Sequence, residues 1–255
     1  MTTISTANPW LTCPKPKPQA HLRLFCLPYA GGSALNFRSW INDLPPTIEL
    51  CPIELPGRGL RLPEPAFDRL EPLVQVLGEA LLPALDRPFA IFGHSLGALL
   101  GFEWARWLRR RGARSPMHLL LSGRRAPQVP TAMPLRYNLP EPDFLAALNR
   151  LNGTPQAILE HPELMQLLLP TLRADFSVVE TSLYHPEPPL ACPVTVFGGV
   201  DDPETTLEGL QAWQTQTQQT FRLELLPGDH FFLHSAQPQL LTLIQQTLTQ
   251  TLQTL

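Results

Sequence analysis

A chain of 255 residues, 44% of them apolar, can bury a large core and sits at the upper end of what one domain holds, so a single domain with an insertion is expected. Nineteen Lys and Arg against 22 Asp and Glu leave a net charge of -3, which gives no basic footprint for nucleic acid and no electrostatic reason to sit on an anionic membrane. Cys13, Cys26, Cys51 and Cys192 show no Cys-x-x-Cys spacing, and no apolar stretch approaches the roughly 18 residues of a membrane span, so a reducing, cytoplasmic setting is expected.

Residues 1–19, with Pro9, Pro14, Pro16 and Pro18, lack the apolar segment of a secretory signal and read as an extended leader. Leu22 to Leu27 and Ile48 to Ile53 are short apolar runs, as expected for strands buried in a parallel sheet. Leu70, Leu73, Val74, Leu77, Leu81 and Leu82 recur at helical spacing, and Asp86-Arg87-Pro88 ends that helix before the apolar run Pro88 to Phe92. Gly93-His94-Ser95-Leu96-Gly97 follows, opening a helical stretch from Ala98 to Arg110. Further strands are expected at Met117 to Leu121, Val194 to Phe197 and Phe221 to Leu226, with a helix around Leu207 to Trp213; the alternation specifies a parallel α/β sheet.

The segment from about 129 to 189 breaks the alternation. It has helical patterns at Phe144, Leu145, Leu148 and Leu151 and again from Leu164 through Tyr184, and reads as an inserted helical lid between core segments at about 20–128 and 190–255. Pro170 is expected to kink or divide the second pattern. From Ser235 to Leu255 no residue is charged, and Leu241, Ile244, Leu248, Leu252 and Leu255 form one stripe, expected to dock on the sheet.

Strand, Gly-x-Ser-x-Gly and helix in succession make Ser95 a candidate nucleophile on a sharp turn. A serine hydroxyl is almost un-ionised at neutral pH and needs a base, with a carboxylate to orient it. His230 is the candidate base, because Leu226-Pro227-Gly228-Asp229 turns it back over the sheet edge. His234 is expected to pack or bond locally, and His94 to point away from the base position. His230 and His234 have i, i+4 spacing but lack the glutamate and third ligand of a zinc motif, so no metal is expected. For the acid, Asp202 is favoured over Asp201, which is expected to cap the loop before the Thr205-Thr206 helix start. An oxyanion would rest on the amides of Leu96, directly after the nucleophile, and of Ala30, in the turn Pro28-Tyr29-Ala30-Gly31-Gly32.

These residues resemble the type II thioesterases that accompany non-ribosomal peptide and polyketide synthases, members of the α/β-hydrolase superfamily. The similarity runs nearly end to end, through Leu27 to Ala34, Leu55 to Arg58, the elbow, Leu169 to Phe176, and Gly228 to Phe232. The chain departs from the pattern at Leu96, where the family usually has Met, near Gly59, where it has Glu, and at Asp229, where it has Gly. Asp229 leaves a second possible partner for His230. The resemblance implies an α/β-hydrolase fold, a Ser95, Asp202, His230 triad with oxyanion amides at Ala30 and Leu96, no cofactor, and a monomer. The implied activity is hydrolysis of acyl groups from the phosphopantetheine arm of acyl or peptidyl carrier domains, clearing stalled or misprimed units. The alternatives are a small-molecule carboxylesterase, a terminal release domain that cyclises, and a non-catalytic scaffold that binds carriers.

Overall fold

The computed structural model describes residues 8–131, 133–153 and 161–253, so parts of the leader and lid segments and Leu255 of the C-terminal stripe lie outside it. Six strands, β1 (Leu22–Leu27), β2 (Ile48–Pro52), β3 (Phe89–His94), β4 (Leu119–Ser122), β5 (Val194–Gly199) and β6 (Phe221–Leu226), form one sheet of order β2-β1-β3-β4-β5-β6. Every neighbouring pair is parallel. The first five strands are buried along their whole length, which is why they read as mainly apolar runs; the buried Arg23 of β1 and Glu49 of β2 pair with each other at 2.7 Å.

The strand period of two still governs which face each side chain serves. On β1, Phe25 and Leu27 join the core beneath α1 (Leu70–Leu81) and α2 (Leu96–Arg110), while Leu22, Leu24 and Cys26 join the core on the opposite face. That second core takes Leu240, Leu241, Ile244 and Leu248 from the C-terminal helix, so the uncharged stripe does dock on the sheet. The leader, from Asn8 onward, lies along β2: Leu11 bridges Ile53, Thr12 N–H donates to Pro52 O at 3.0 Å, and Trp10 is buried under the Arg61 guanidinium.

Between β4 and β5 stand α3 (Glu141–Leu151) and α4 (Pro162–Thr181). Phe144 and Leu148 of α3 pack with Met165, Leu169, Leu172 and Phe176 of α4 in a third apolar cluster. The expected division at Pro170 does not occur, because α4 runs through it. Pro170 has no N–H to donate, and an interior proline costs about 3 kcal/mol. Met165 and Leu169 before it, and Leu172 and Phe176 after it, anchor both halves in the same cluster, and this packing offsets the loss. Later come α5 (Leu207–Gln211), α6 (Phe232–Ser235) and α7 (Gln237–Gln253). The side chain of Thr206 accepts a hydrogen bond from Gly209 N–H at 3.1 Å and caps α5 as expected.

The turn from β3 into α2 sets the position of everything functional. Ser95 has φ 53° and ψ -107°, a left-handed conformation that non-glycine residues rarely adopt. It exists because the residues two positions to either side, Gly93 and Gly97, have no side chain. A Cβ on Gly97 would overlap the carbonyl oxygen of Leu27, and one on Gly93 would overlap the carbonyl of Gly97. The first turn of α2 therefore lies directly against the end of β1. A Gly97→Ala substitution should lower stability by about 3 kcal/mol, because a backbone carbonyl cannot rotate away as a side chain can. A urea midpoint corresponding to a loss within about 0.5 kcal/mol, the range of a neutral surface change, would contradict this account of the elbow.

Candidate active site

Ser95, His230 and Ala30 line one cavity of about 80 Å³ at the C-terminal end of the strands. Its other walls include Tyr29, Arg124 and Phe231 from core loops, and Leu148, Leu151, Leu172 and Phe176 from the α3–α4 segment. The segment thus supplies part of the wall of the cavity that Ser95 lines. The Ser95 amide is held by Ser122 O at 2.8 Å, which ties the elbow to the neighbouring strand.

His230 and Asp202 come from loops 28 residues apart and meet with Nδ1 to Oδ2 at 2.8 Å. Both are buried, so their hydrogen bond is shielded from water. The carboxylate lies on Nδ1, which leaves Nε2 as the ring atom available to a proton on another group. Among the described residues no hydrogen bond yet joins Ser95 Oγ to the imidazole, the looser arrangement common before substrate is in place.

Two sequence expectations are corrected here. Asp201 is exposed and does not cap the loop; Asp202 does so itself. Its Oδ1 accepts Glu204 N–H at 2.8 Å, and its Oδ2 accepts Thr205 Oγ1 at 3.0 Å alongside His230. An aspartate readily accepts the amide two residues on, so one side chain both shapes the loop and orients the base. His234 packs against Phe231, as expected, with ring centres 6.5 Å apart and the rings nearly parallel, and its Nε2 also lies 3.0 Å from Tyr29 Oη. His94 is fully buried with Nδ1 2.8 Å from Ser122 Oγ, and its ring centre is 5.2 Å from that of His230. It lies beneath the base instead of away from it. Burial, reinforced by the neighbouring His230 and His234, holds the His94 pKa well below the ordinary histidine value, so it adds no positive charge under His230.

Asp229, the other possible partner, is turned elsewhere. Its Oδ2 accepts Asn152 Nδ2 at 3.1 Å and its Oδ1 accepts Phe231 N–H at 2.8 Å. Leu96 is the first residue of α2, where amides have no partner within the helix, and Ala30 lies across the cavity wall in the glycine turn.

Two residues whose part sequence reasoning did not see hold that turn in place. Asp175 on α4 receives Arg58 through both terminal nitrogens, at 2.7 and 2.8 Å, and its Oδ2 also accepts Gly31 N–H at 2.7 Å. Thr171 Oγ1 donates to Gly57 O at 2.7 Å one turn earlier. The motifs around Arg58 and Asp175 were visible in the chain, but their meeting 117 residues apart was not.

The profile of the Thioesterase domain family matches residues 22–248. The chain is 46% identical over 242 residues to linear gramicidin dehydrogenase LgrE of Brevibacillus parabrevis, covering 94% of this chain and 92% of that protein. It is 44% identical to the gramicidin S biosynthesis protein GrsT of Aneurinibacillus migulanus, with 94% of each covered. Among solved structures, the type II thioesterase BorB from the borrelidin biosynthetic cluster superposes with a TM-score of 0.86 at 33% identity, over 93% of this chain and 97% of that one. The word dehydrogenase in the first name describes that protein; this chain has no Gly-x-Gly-x-x-Gly turn, and its strand-to-helix turn carries the serine elbow.

The three aspartates can be separated by labelling with a serine-directed phosphonate. Asp202→Asn should slow labelling of Ser95 by up to about 10⁴-fold, since the imidazole loses its orienting carboxylate. Asp201→Asn and Asp229→Asn should each change it by less than about tenfold. A collapse of labelling in Asp229→Asn with little change in Asp202→Asn would reverse the assignment.

Proposed function

The chain belongs to the thioesterase domain family, and on that footing we propose that it hydrolyses acyl groups from the phosphopantetheine arm of carrier proteins serving a peptide or polyketide synthase, freeing stalled or misprimed carriers. The observation that carries this reading is the 2.8 Å Asp202–His230 pair facing the same cavity as Ser95 and Ala30. The names of GrsT and BorB support a place in such a pathway.

In the proposed reaction, Ser95 Oγ attacks the thioester carbonyl carbon while His230 Nε2 takes its proton, and Asp202 stabilises the imidazolium through Nδ1. The carbonyl oxygen becomes an oxyanion held by the amides of Ala30 and Leu96, which cost no reorganisation because the elbow and the glycine turn fix them beforehand. Collapse breaks the C–S bond, and His230 returns the proton to the departing thiol. A water molecule, deprotonated by His230, then attacks the acyl-serine, and the second collapse releases the acid and restores the Ser95 hydroxyl. Carrier domains of the acyl or peptidyl kind are the proposed partners.

No helix among the described residues is long and apolar enough to cross a membrane.

Hydrolysis of an acyl-loaded carrier, compared with that of the matching oxygen ester, tests the proposal. The carrier thioester should be preferred, and Ser95→Ala should lower its turnover by about 10⁴-fold or more. A strong preference for the oxygen ester would make the protein a carboxylesterase. Full turnover by Ser95→Ala would remove the nucleophile from the mechanism.

A further inference from the structure

Arg124 is the first side chain past the end of β4 whose chemistry neither the fold nor the proposed reaction uses. It follows Gly123, whose φ of +61° turns the chain back over the sheet, and its own carbonyl accepts Trp213 Nε1 at 2.8 Å. The backbone is thereby fixed, and Arg124 lines the cleft with only 9% of the residue exposed. It lines the Ser95 cavity and also an adjoining cavity of about 180 Å³ that extends under the lid segment.

An arginine so buried is normally matched by a carboxylate or by several carbonyls, because removing an unpaired guanidinium from water is costly. Arg124 has neither among the described residues. The acids that share its surroundings are committed elsewhere. Glu204, on the wall of both cavities, meets Arg136 at 2.8 Å; Glu180 meets Arg136 at 3.0 Å; and Glu103 meets Arg106 at 2.6 Å. Arg125, beside it, donates through Nε to Val129 O at 3.2 Å and adds a like charge. Burial, and then the Arg125 charge, depress the Arg124 pKa to about 9, the direction expected of a cation held without a counterion. Since about 9 is still above neutral pH, the group stays charged.

We propose that Arg124 is a specificity-determining residue that reads a carboxylate on the acyl group bound at Ser95, so that the enzyme favours dicarboxylic half-thioesters over neutral acyl groups of the same shape and disfavours acyl groups ending in an ammonium. The inference rests on the thioesterase reading above and adds a substrate class to it. Its physical basis is that the planar guanidinium offers paired donors to a carboxylate, in a site where water competes little. The same unpaired charge repels an ammonium, which would have to share the cavity with both Arg124 and Arg125.

The test uses N-acetylcysteamine thioesters of malonic, succinic and glutaric acid, beside the matching half-amides, in which a carboxamide replaces the carboxylate, and the 3-aminopropanoyl and 4-aminobutanoyl thioesters. Rates are corrected for spontaneous hydrolysis. In the unaltered enzyme, kcat/KM should favour the carboxylate over its half-amide by at least about tenfold at one or more chain lengths, with the ammonium-ended thioesters the poorest. Arg124→Met should bring that ratio close to one, and Arg124→Lys should retain part of it. Binding is measured separately by calorimetry on Ser95→Ala with the succinyl thioester and its half-amide, where tighter binding of the carboxylate is expected.

A half-amide handled as well as its carboxylate at every length by the unaltered enzyme would overturn the proposal, whatever the variants do. So would a ratio that survives in Arg124→Met. Turnover of none of these thioesters, together with selective binding of the carboxylate to Ser95→Ala, would support the anion site and count against the thioesterase reading. Absence of both turnover and selective binding would overturn both.

Discussion

The close approach of α2 to the end of β1 is the constraint on which the site depends. Ser95 can hold φ 53° only because Gly93 and Gly97 present no Cβ to the carbonyls of Gly97 and Leu27. Local strain of this kind costs on the order of 1–3 kcal/mol and persists only where its surroundings over-determine it. Here the surroundings are a five-strand buried platform and a helix packed across it by Leu99, Phe102 and Trp104. The strained turn places Ser95 on the cavity wall, and Leu96 directly after it opens α2 with an amide that has no partner within the helix. Stability and chemistry meet in one turn.

The second dependence is electrostatic and crosses the chain. Arg58, Asp175 and Gly31 lie in three separate segments, and one carboxylate joins them. A buried ion pair is weak evidence for net stability, since desolvation can equal the attraction. Its contribution here is positional. By accepting the Gly31 amide, Asp175 sets the turn that holds Ala30 while pinning the helix that roofs the cavity. The α3–α4 segment and the glycine turn are thus parts of one hydrogen-bonded unit.

The charges around the cavity divide by whether they are paired. Asp202 is used three times, by His230, Thr205 and the Glu204 amide. His94, packed beneath His230, is kept neutral by burial, so no like charge opposes an imidazolium forming above it. Arg136 spends its charge on Glu180 and Glu204. Arg124, with Arg125 beside it, has no carboxylate partner among the described residues and lines the cavity that Ser95 also lines.

Much of this was legible in the chain because the signals were local. Mainly apolar runs marked β1 to β5, since strands covered on both faces need no polar side. The elbow was legible because its steric demand falls on adjacent residues, and Ser95 and His230 followed from the order of elements. Other features depended on contacts between distant residues and could not be read that way. Pro170 signals a break that the shared apolar cluster of α3 and α4 overrides. The sequence favoured Asp202 and left Asp229 as a second possible partner; loop conformation pairs Asp202 with His230, leaves Asp201 exposed and gives Asp229 to Asn152. The Arg58–Asp175 pair and the unpaired Arg124 had no sequence signature at all. Local sterics and burial periodicity determined the sheet, the turn at Ser95 and the place of His230 after the last strand; the partners of each charge were decided only when the tertiary structure brought distant segments within hydrogen-bond reach.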